Sequence, residues 1–264
     1  MKPDIRRVLL EWAYAINHHE CAVLLSGGVD SAAVCFALQE VGKTVVAYTF
    51  TLDDRESSDF LAAKQVARVL RCAWVPVRLP TSIKALQEDM IRLRDLGAKS
   101  KTDFECSWPM IYAYHAAAQT VVCSGMGADG HFCISKKGMI HYRDRIDEFR
   151  MKLYGSRTYA QQHLHRALAN EHQKVAELPF LLEKMKAEFI GTTWDQLNKP
   201  KQKQALLDAF QTEFKNIRVR PHTNLQLGDS GISAHIAKLL RSEWNYRGHR
   251  SVVGIFNQLV ARAL

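Results

Sequence analysis

Ser26-Gly27-Gly28-Val29-Asp30-Ser31 is the stretch around which the rest of the chain is organised. The run before it, Cys21-Ala22-Val23-Leu24-Leu25, is short and apolar, which reads as a buried strand. The run after it, Ala32 to Leu38, reads as a buried helix opening at Asp30 or Ser31. Strand, tight glycine loop and helix start form an anion-binding geometry. Two glycines let the backbone come close to an anion. The first N–H groups of the helix lack intrahelical partners and lie at its positive end. Ser26 and Ser31 add hydroxyl donors. Asp30 is out of place beside an anion unless Mg²⁺ stands between carboxylate and phosphate. The competing reading is an ordinary strand–turn–helix with a serine cap, but a cap needs neither two glycines nor the aspartate.

A second glycine segment, Ser124-Gly125-Met126-Gly127-Ala128-Asp129-Gly130-His131-Phe132, follows another short strand, Thr120 to Cys123. Between the two segments, strand and helix signals alternate. Strands are expected over 43–50 and 73–79, the latter with Pro76, which points to a sheet edge. Helices are expected over 57–70, 81–96 and 108–119, the last with Pro109 near its first turn. Residues 4–19 form an amphipathic pattern with Val8, Leu9, Trp12, Ala15 and Ile16 on one side. This alternation predicts an α/β fold with a doubly wound parallel sheet, whose ligands bind beyond the C-terminal strand ends.

Together the two segments, about 100 residues apart, resemble the asparagine synthetase-like domain of the N-type ATP pyrophosphatases (the PP-loop, adenine nucleotide alpha hydrolase-like superfamily). That superfamily also holds β-lactam synthetase, GMP synthetase, NAD synthetase and the tRNA thiolation enzymes. The Walker spacing is absent. The resemblance implies a HUP/PP-loop type sheet with ATP and Mg²⁺ as cofactors. It implies that Leu25, Ser26, Gly27, Gly28, Val29, Asp30 and Ser31 hold the phosphates, and that Ser124 and Gly125 contact the AMP moiety. It further implies that Asp30 and Asp129 hold Mg²⁺ on the pyrophosphate. Thr49 and Phe50, at the end of the second strand, are candidates for the base pocket; turn chemistry at Asp53 and Asp54 is the alternative for that loop.

Two further cations are candidate catalytic groups. Lys101, in Lys101-Thr102-Asp103-Phe104-Glu105-Cys106-Ser107-Trp108-Pro109, could touch phosphate, with Glu105 on metal or substrate amine; equally, Asp103 or Ser107 caps a helix there. In the family a lysine-bearing loop of the C-terminal part neutralises developing phosphate charge. Arg218, Arg220 or His222 in the polar run 218–232 could do so here, against the alternative of a solvated loop.

The sequence also departs from the family pattern. Met126 stands where a glutamate is frequent, and Gly130 stands where an acidic residue is usual, so aspartate is not the expected acceptor. A glutaminase domain would begin with a cysteine after the initiator methionine, where Lys2 stands. The expected partners are therefore a small-molecule acceptor and a donor that is ammonia or an amine, with a separate amidotransferase subunit as one source.

Past residue 135 the pattern is helical, over 142–169, 171–189 and 201–214, with a closing helix over 251–264. Asn198-Lys199-Pro200 punctuates it. The expected organisation is an ATP part over 1–135 and a mostly helical part over 136–264 of one unit. His163, His165 and His172 do not share a helical face, which argues against a metal site.

The bulk numbers restrict the class. At 264 residues, 47% hydrophobic and 24% charged, the chain is of globular type. No apolar run reaches the roughly 20 residues of a membrane span. Six scattered cysteines without a C-x-x-C pair suit buried thiols and a cytoplasmic location. The net charge of +9 is uneven: residues 1–130 carry 14 basic against 15 acidic residues, the remainder 22 against 12. A basic second half suits a polyphosphate, a tRNA or simply a solvated surface. Three functions follow: an AMP-forming amide ligase first, a tRNA-modifying enzyme with the same adenylation step second, a non-catalytic ATP-binding regulator third.

Overall fold

The computed structural model describes residues 2–52, 55–155, 160–218 and 229–243, with positions 254, 257 and 258. Helix α1 (Ile5–Ala15) opens on an Asp4 cap and leads into β1 (Glu20–Leu24). Then follow α2 (Val29–Glu40), β2 (Thr44–Leu52), α3 (Ser58–Val69), β3 (Ala73–Leu79), α4 (Ile83–Asp95), α5 (Lys101–Ala116) and β4 (Val121–Ser124). Beyond the second glycine segment come α6 (Ala128–Phe132), α7 (Lys136–Tyr142), α8 (Ile146–Tyr154), α9 (Ala160–Glu171) and β5 (Val175–Glu177). A 3₁₀ turn (Pro179–Leu181), α10 (Glu183–Phe189), α11 (Trp194–Asn198), α12 (Gln204–Ala209), α13 (Gln211–Phe214) and α14 (Ile232–Glu243) complete the described elements. No described helix is long and apolar enough to cross a membrane.

The five strands of the described residues form one sheet in the order β3-β2-β1-β4-β5, all parallel. The order reverses at β1, so the C-terminal ends of β1 and β4 flank the switch point where such sheets open a crevice. Alternate strand residues feed two cores. Cys21, Val23 and Leu25 point to one face, packed by α1, α2, α3, α10 and α12. Ala22 and Leu24 point to the other, packed by α4, α5, α9 and α14. Helix α2 is buried from Ser31 to Leu38, which suits its nearly unbroken apolar sequence. Pro76 lies on β3, which among the described residues pairs only with β2 and forms the expected edge.

Three sequence expectations shift. The fifth helix was expected from 108 but begins at Lys101. Its cap is Ser100, closed by a capping box with Asp103, and Pro109 sits inside the helix. Strand β5 lies inside 171–189, which reads as helix, so the mostly helical second part supplies the other edge of the sheet. Helix α14 starts at Ile232, the last residue of the polar run 218–232, and occupies a stretch for which no element is expected from the sequence. The closing helix expected over 251–264 falls mostly outside the described residues. Four cysteines are buried, Cys72 and Cys106 are half-buried, and all six are free thiols.

Candidate active site

The first glycine loop leaves β1 and enters α2 with Gly28 as the N-cap. Gly27 has φ +76°, and a Cβ there would lie 2.6 Å from the Cβ of Ala62 and from the amide of Ala63. Only glycine meets both demands. The two serines brace the turn from within. Ser31 Oγ accepts from the Ser26 amide at 3.2 Å and donates to the Gly28 carbonyl at 3.2 Å. Ser26 Oγ accepts from the Gly28 amide at 3.3 Å. Helix α2 has no side-chain cap, which leaves its N-terminal amides facing the crevice.

The second glycine segment closes on the first. A Cβ on Gly125 would stand 2.7 Å from the Ser31 amide nitrogen and 2.8 Å from the Asp30 carbonyl carbon and Cβ. The backbone after β4 therefore packs directly on the start of α2. Ser124 Oγ accepts from the Met126 amide at 3.2 Å. Gly127, at φ +90°, caps α6, which carries Asp129 in its first turn.

Asp30 and Asp129 converge on one cation, the ammonium of Lys203. It bonds Asp30 Oδ2 and lies 2.5 Å from Asp129 Oδ1. Lys203 is 3% exposed. Burial alone would push its pKa down, but attraction to the two aspartates outweighs burial and holds it above the ordinary lysine value. Lys203 is a candidate functional residue absent from the sequence-based candidates. Its signal was the lysine-rich run just after Asn198-Lys199-Pro200. The resemblance points instead to Arg218, Arg220 or His222, further along the chain, for the family's lysine role. Arg218 is exposed; Arg220 and His222, like Asp53 and Asp54, lie outside the described residues.

The donor set suits Mg²⁺ brought in on phosphate oxygens, which takes one or two protein carboxylates. Two carboxylates from neighbouring strand ends already share one cationic partner here. Among the described residues, no group of three or more His, Cys, Asp or Glu side chains converges to hold a metal by itself.

The other candidates are placed differently. Thr49 is buried beneath the loop; its hydroxyl donates to the Leu25 carbonyl at 2.8 Å and accepts from Trp74 Nε1 at 3.1 Å. Phe50 packs against the opposite core. Lys101 is not drawn to the aspartates: it pairs with buried Glu105 and reaches Ser233 Oγ at 3.3 Å. Gly130 makes room for α8. A Cβ there would lie 2.1 Å from the Tyr154 hydroxyl and 2.3 Å from Leu153, and Tyr154 donates to the Gly127 carbonyl. An acidic side chain at 130 is thus excluded by packing. His131 is structural. Its Nε2 donates to the Phe180 carbonyl at 2.6 Å, its ring stacks on Phe189 at 4.4 Å, and burial pushes its pKa down to about 3. Buried Arg150 holds the end of α6 through bonds to the His131 carbonyl, the Phe189 carbonyl and Thr192 Oγ1.

The asparagine synthase family model matches residues 7–230, a span that includes both glycine segments and Lys203. The chain belongs to the asparagine synthase family, a family of PP-loop ATPases. No curated protein sequence matches the chain significantly. Among solved structures, an NMN synthetase from Francisella tularensis aligns over 84% of this chain and 98% of that one, at 14% identity and a TM-score of 0.37. Family membership makes the chain an ATP-dependent synthetase.

Proposed function

We propose that the protein is an AMP- and pyrophosphate-forming amide ligase that adenylates an acceptor oxygen, for attack by ammonia or an amine. The observation that carries this reading is the convergence of Asp30, Asp129 and Lys203 at the switch point, between two glycine segments packed on each other. Residues 26–31 would receive the β- and γ-phosphates on the amides of the loop and of α2. Ser124 and Gly125 would contact the AMP part. Asp30 and Asp129 would hold Mg²⁺, which when bound supplies charge neutralisation on the leaving pyrophosphate.

Lys203 gives the site a second positive charge that is fixed in advance. An ammonium held in place before substrate arrives needs no reorganisation as charge builds on the phosphates. It stays protonated through the neutral range, so it acts as an electrostatic group and not as a base. Nothing in the reaction asks for a residue at 126 or 130 to be acidic once the acceptor differs from aspartate.

The test is product analysis. Incubation with Mg·ATP, ammonia and a panel of carboxylic acceptors is expected to yield AMP and pyrophosphate. ADP and phosphate as the sole products would reject the reading. Pyrophosphate release that requires bulk tRNA would select the tRNA-modifying alternative, which the basic second half favours. Tight ATP binding without release under any condition would select the regulator.

A further inference from the structure

We propose that Asn198 is the positioning residue that holds Lys203 at the aspartate pair. Asn198 is 3% exposed, and its amide connects three pieces of backbone. Oδ1 accepts from the Lys203 amide at 3.0 Å. Nδ2 donates to the Phe132 carbonyl at 3.0 Å and to the Trp194 carbonyl at 3.0 Å. Phe132 is the last residue of α6, the short helix that carries Asp129. One side chain therefore ties the residue that supplies the cation to the helix that supplies one of its anions.

Lys203 needs such a tie. Its backbone sits at φ 59° and ψ 30°, the left-handed region, where a side chain crowds the neighbouring carbonyl oxygen. A conformation of that kind persists where the surroundings over-determine it. Here the amide is held by Asn198, and the carbonyl accepts from Leu206 at 2.9 Å and Leu207 at 3.1 Å, the first turn of α12. With N–H and C=O both fixed, the side chain leaves the backbone in one direction, into the crevice. Were Asn198 present only to finish α11, the bond to Trp194 four residues back would suffice. The other two bonds leave that helix and run to the site.

The amide is also the right chemistry for this place. Aspartate would keep the acceptor but set a charge against two carbonyls. Leucine would leave the Lys203 amide and the Phe132 carbonyl buried without partners, and buried polar groups are costly to leave unmet. Only a side chain with one acceptor and two donors meets all three groups.

The catalytic consequence rests on the ligase reading; the positional claim does not, so the two can fail separately. The first readout is amine labelling of the intact protein, followed by mass spectrometry. In the wild type, Lys203 is expected to label at least about tenfold more slowly than exposed Lys201, as a buried, paired ammonium should. In Asn198→Ala, Lys203 labelling rises several-fold while Lys199 and Lys201 stay unchanged. The second readout is kinetic: kcat for pyrophosphate release falls roughly 10–100-fold, with KM for Mg·ATP nearly constant, as for loss of a supporting hydrogen bond. Asn198→Ser is carried in parallel, and whichever variant folds decides. Wild-type protection of Lys203 in a folded Asn198 variant overturns the proposal. Absence of pyrophosphate release by the wild type would strike the ligase reading alone, with the labelling result still standing.

Discussion

Lys203 and Asp129 meet across the mouth of the site, ammonium to carboxylate at 2.5 Å, with Asp30 bonded to the same nitrogen. The residues are 74 positions apart in the chain, from α6 and from the turn before α12. Each of the three is defined by the others. Removing the cation would leave two carboxylates facing each other in a half-buried crevice, where like charges repel strongly.

Lys203→Met is therefore expected to lower pyrophosphate formation by about 10² or more, the scale seen when one fixed electrostatic donor is lost. It should also make the fold respond to metal. With Lys203 gone, Mg²⁺ becomes the available counter-charge, so the melting temperature of the variant should rise on adding Mg²⁺ more than that of the wild type. An equal Mg²⁺ response in the two proteins would separate Lys203 from the carboxylate pair. The pH sign is fixed as well. The folded pKa of Lys203 lies above the ordinary value, so its stabilisation is complete below that value and is lost only as pH rises through the folded one. No lysine limb should appear in the neutral part of a pH–rate profile.

The glycines separate architecture from ligand binding. Gly125→Ala places a methyl carbon 2.7 Å from a backbone nitrogen that cannot move without displacing α2. Both Mg·ATP affinity and thermal stability should drop, the latter by about 1–3 kcal/mol as for overpacking. At Gly28 a Cβ meets, among the described residues, only Ser26 Oγ at 3.3 Å. Gly28→Val should keep the fold and lose ATP binding, because the branched side chain would fill the phosphate space. Calorimetry with Mg·ATP beside a thermal melt reads both effects. Wild-type affinity in folded Gly28→Val would move the phosphate site elsewhere.

The site was legible in the sequence where its physics is local. A glycine loop between an apolar strand and an apolar helix fixes its own geometry, so the turn over Ser26 to Ser31 could be read directly, whereas Ser124 to Asp129 drew attention through its resemblance to a family segment. Pro76 announced the β3 edge because proline cannot donate to a ladder. Lys203 was not legible, because its place depends on a left-handed turn and on the hydrogen bond that its amide donates to Asn198, neither of which leaves a periodic signal. Strand β5 is three residues long, too short to interrupt the helical pattern around it. Gly130 reads as a departure from the family pattern in sequence, yet in space it is the vacancy that Tyr154 fills.

Two buried histidines predict acid lability. Burial holds His131 at about 3 and His165 at about 4, where the free imidazole titrates near 6.5. His165 Nδ1 lies 2.9 Å from the Tyr114 hydroxyl, deep in the core. Both are neutral in the fold and protonated in the unfolded chain, so stability is complete above about pH 6.5 and falls as pH drops towards 3–4. Each can remove on the order of 3 kcal/mol across that window. Chemical denaturation at pH 7 and pH 5 should show the loss, and His165→Phe should reduce its slope. A flat profile between those pH values would contradict neutral burial of both rings.

The last prediction concerns what Asp129 holds. One role is to pair with Lys203, the other to bind Mg²⁺ on the pyrophosphate. Asparagine keeps the shape of the side chain and its hydrogen-bonding oxygen but removes the charge. If Asp129 serves Lys203 alone, Asp129→Asn should reduce turnover by the same factor at every Mg²⁺ concentration, since the lost attraction is internal to the protein. If Asp129 is also a ligand, the lost charge weakens the metal complex itself, and mass action lets excess metal restore part of it. The expected result is a loss of about tenfold or more at limiting Mg²⁺, shrinking as Mg²⁺ rises, with a parallel increase in the Mg²⁺ concentration needed for half-maximal rate. Asp30→Asn should behave alike, because Asp30 contacts the same nitrogen from the other side. A constant deficit across the titration would assign Asp129 to Lys203 and leave Asp30 as the one carboxylate for the metal, still within what phosphate-borne Mg²⁺ requires.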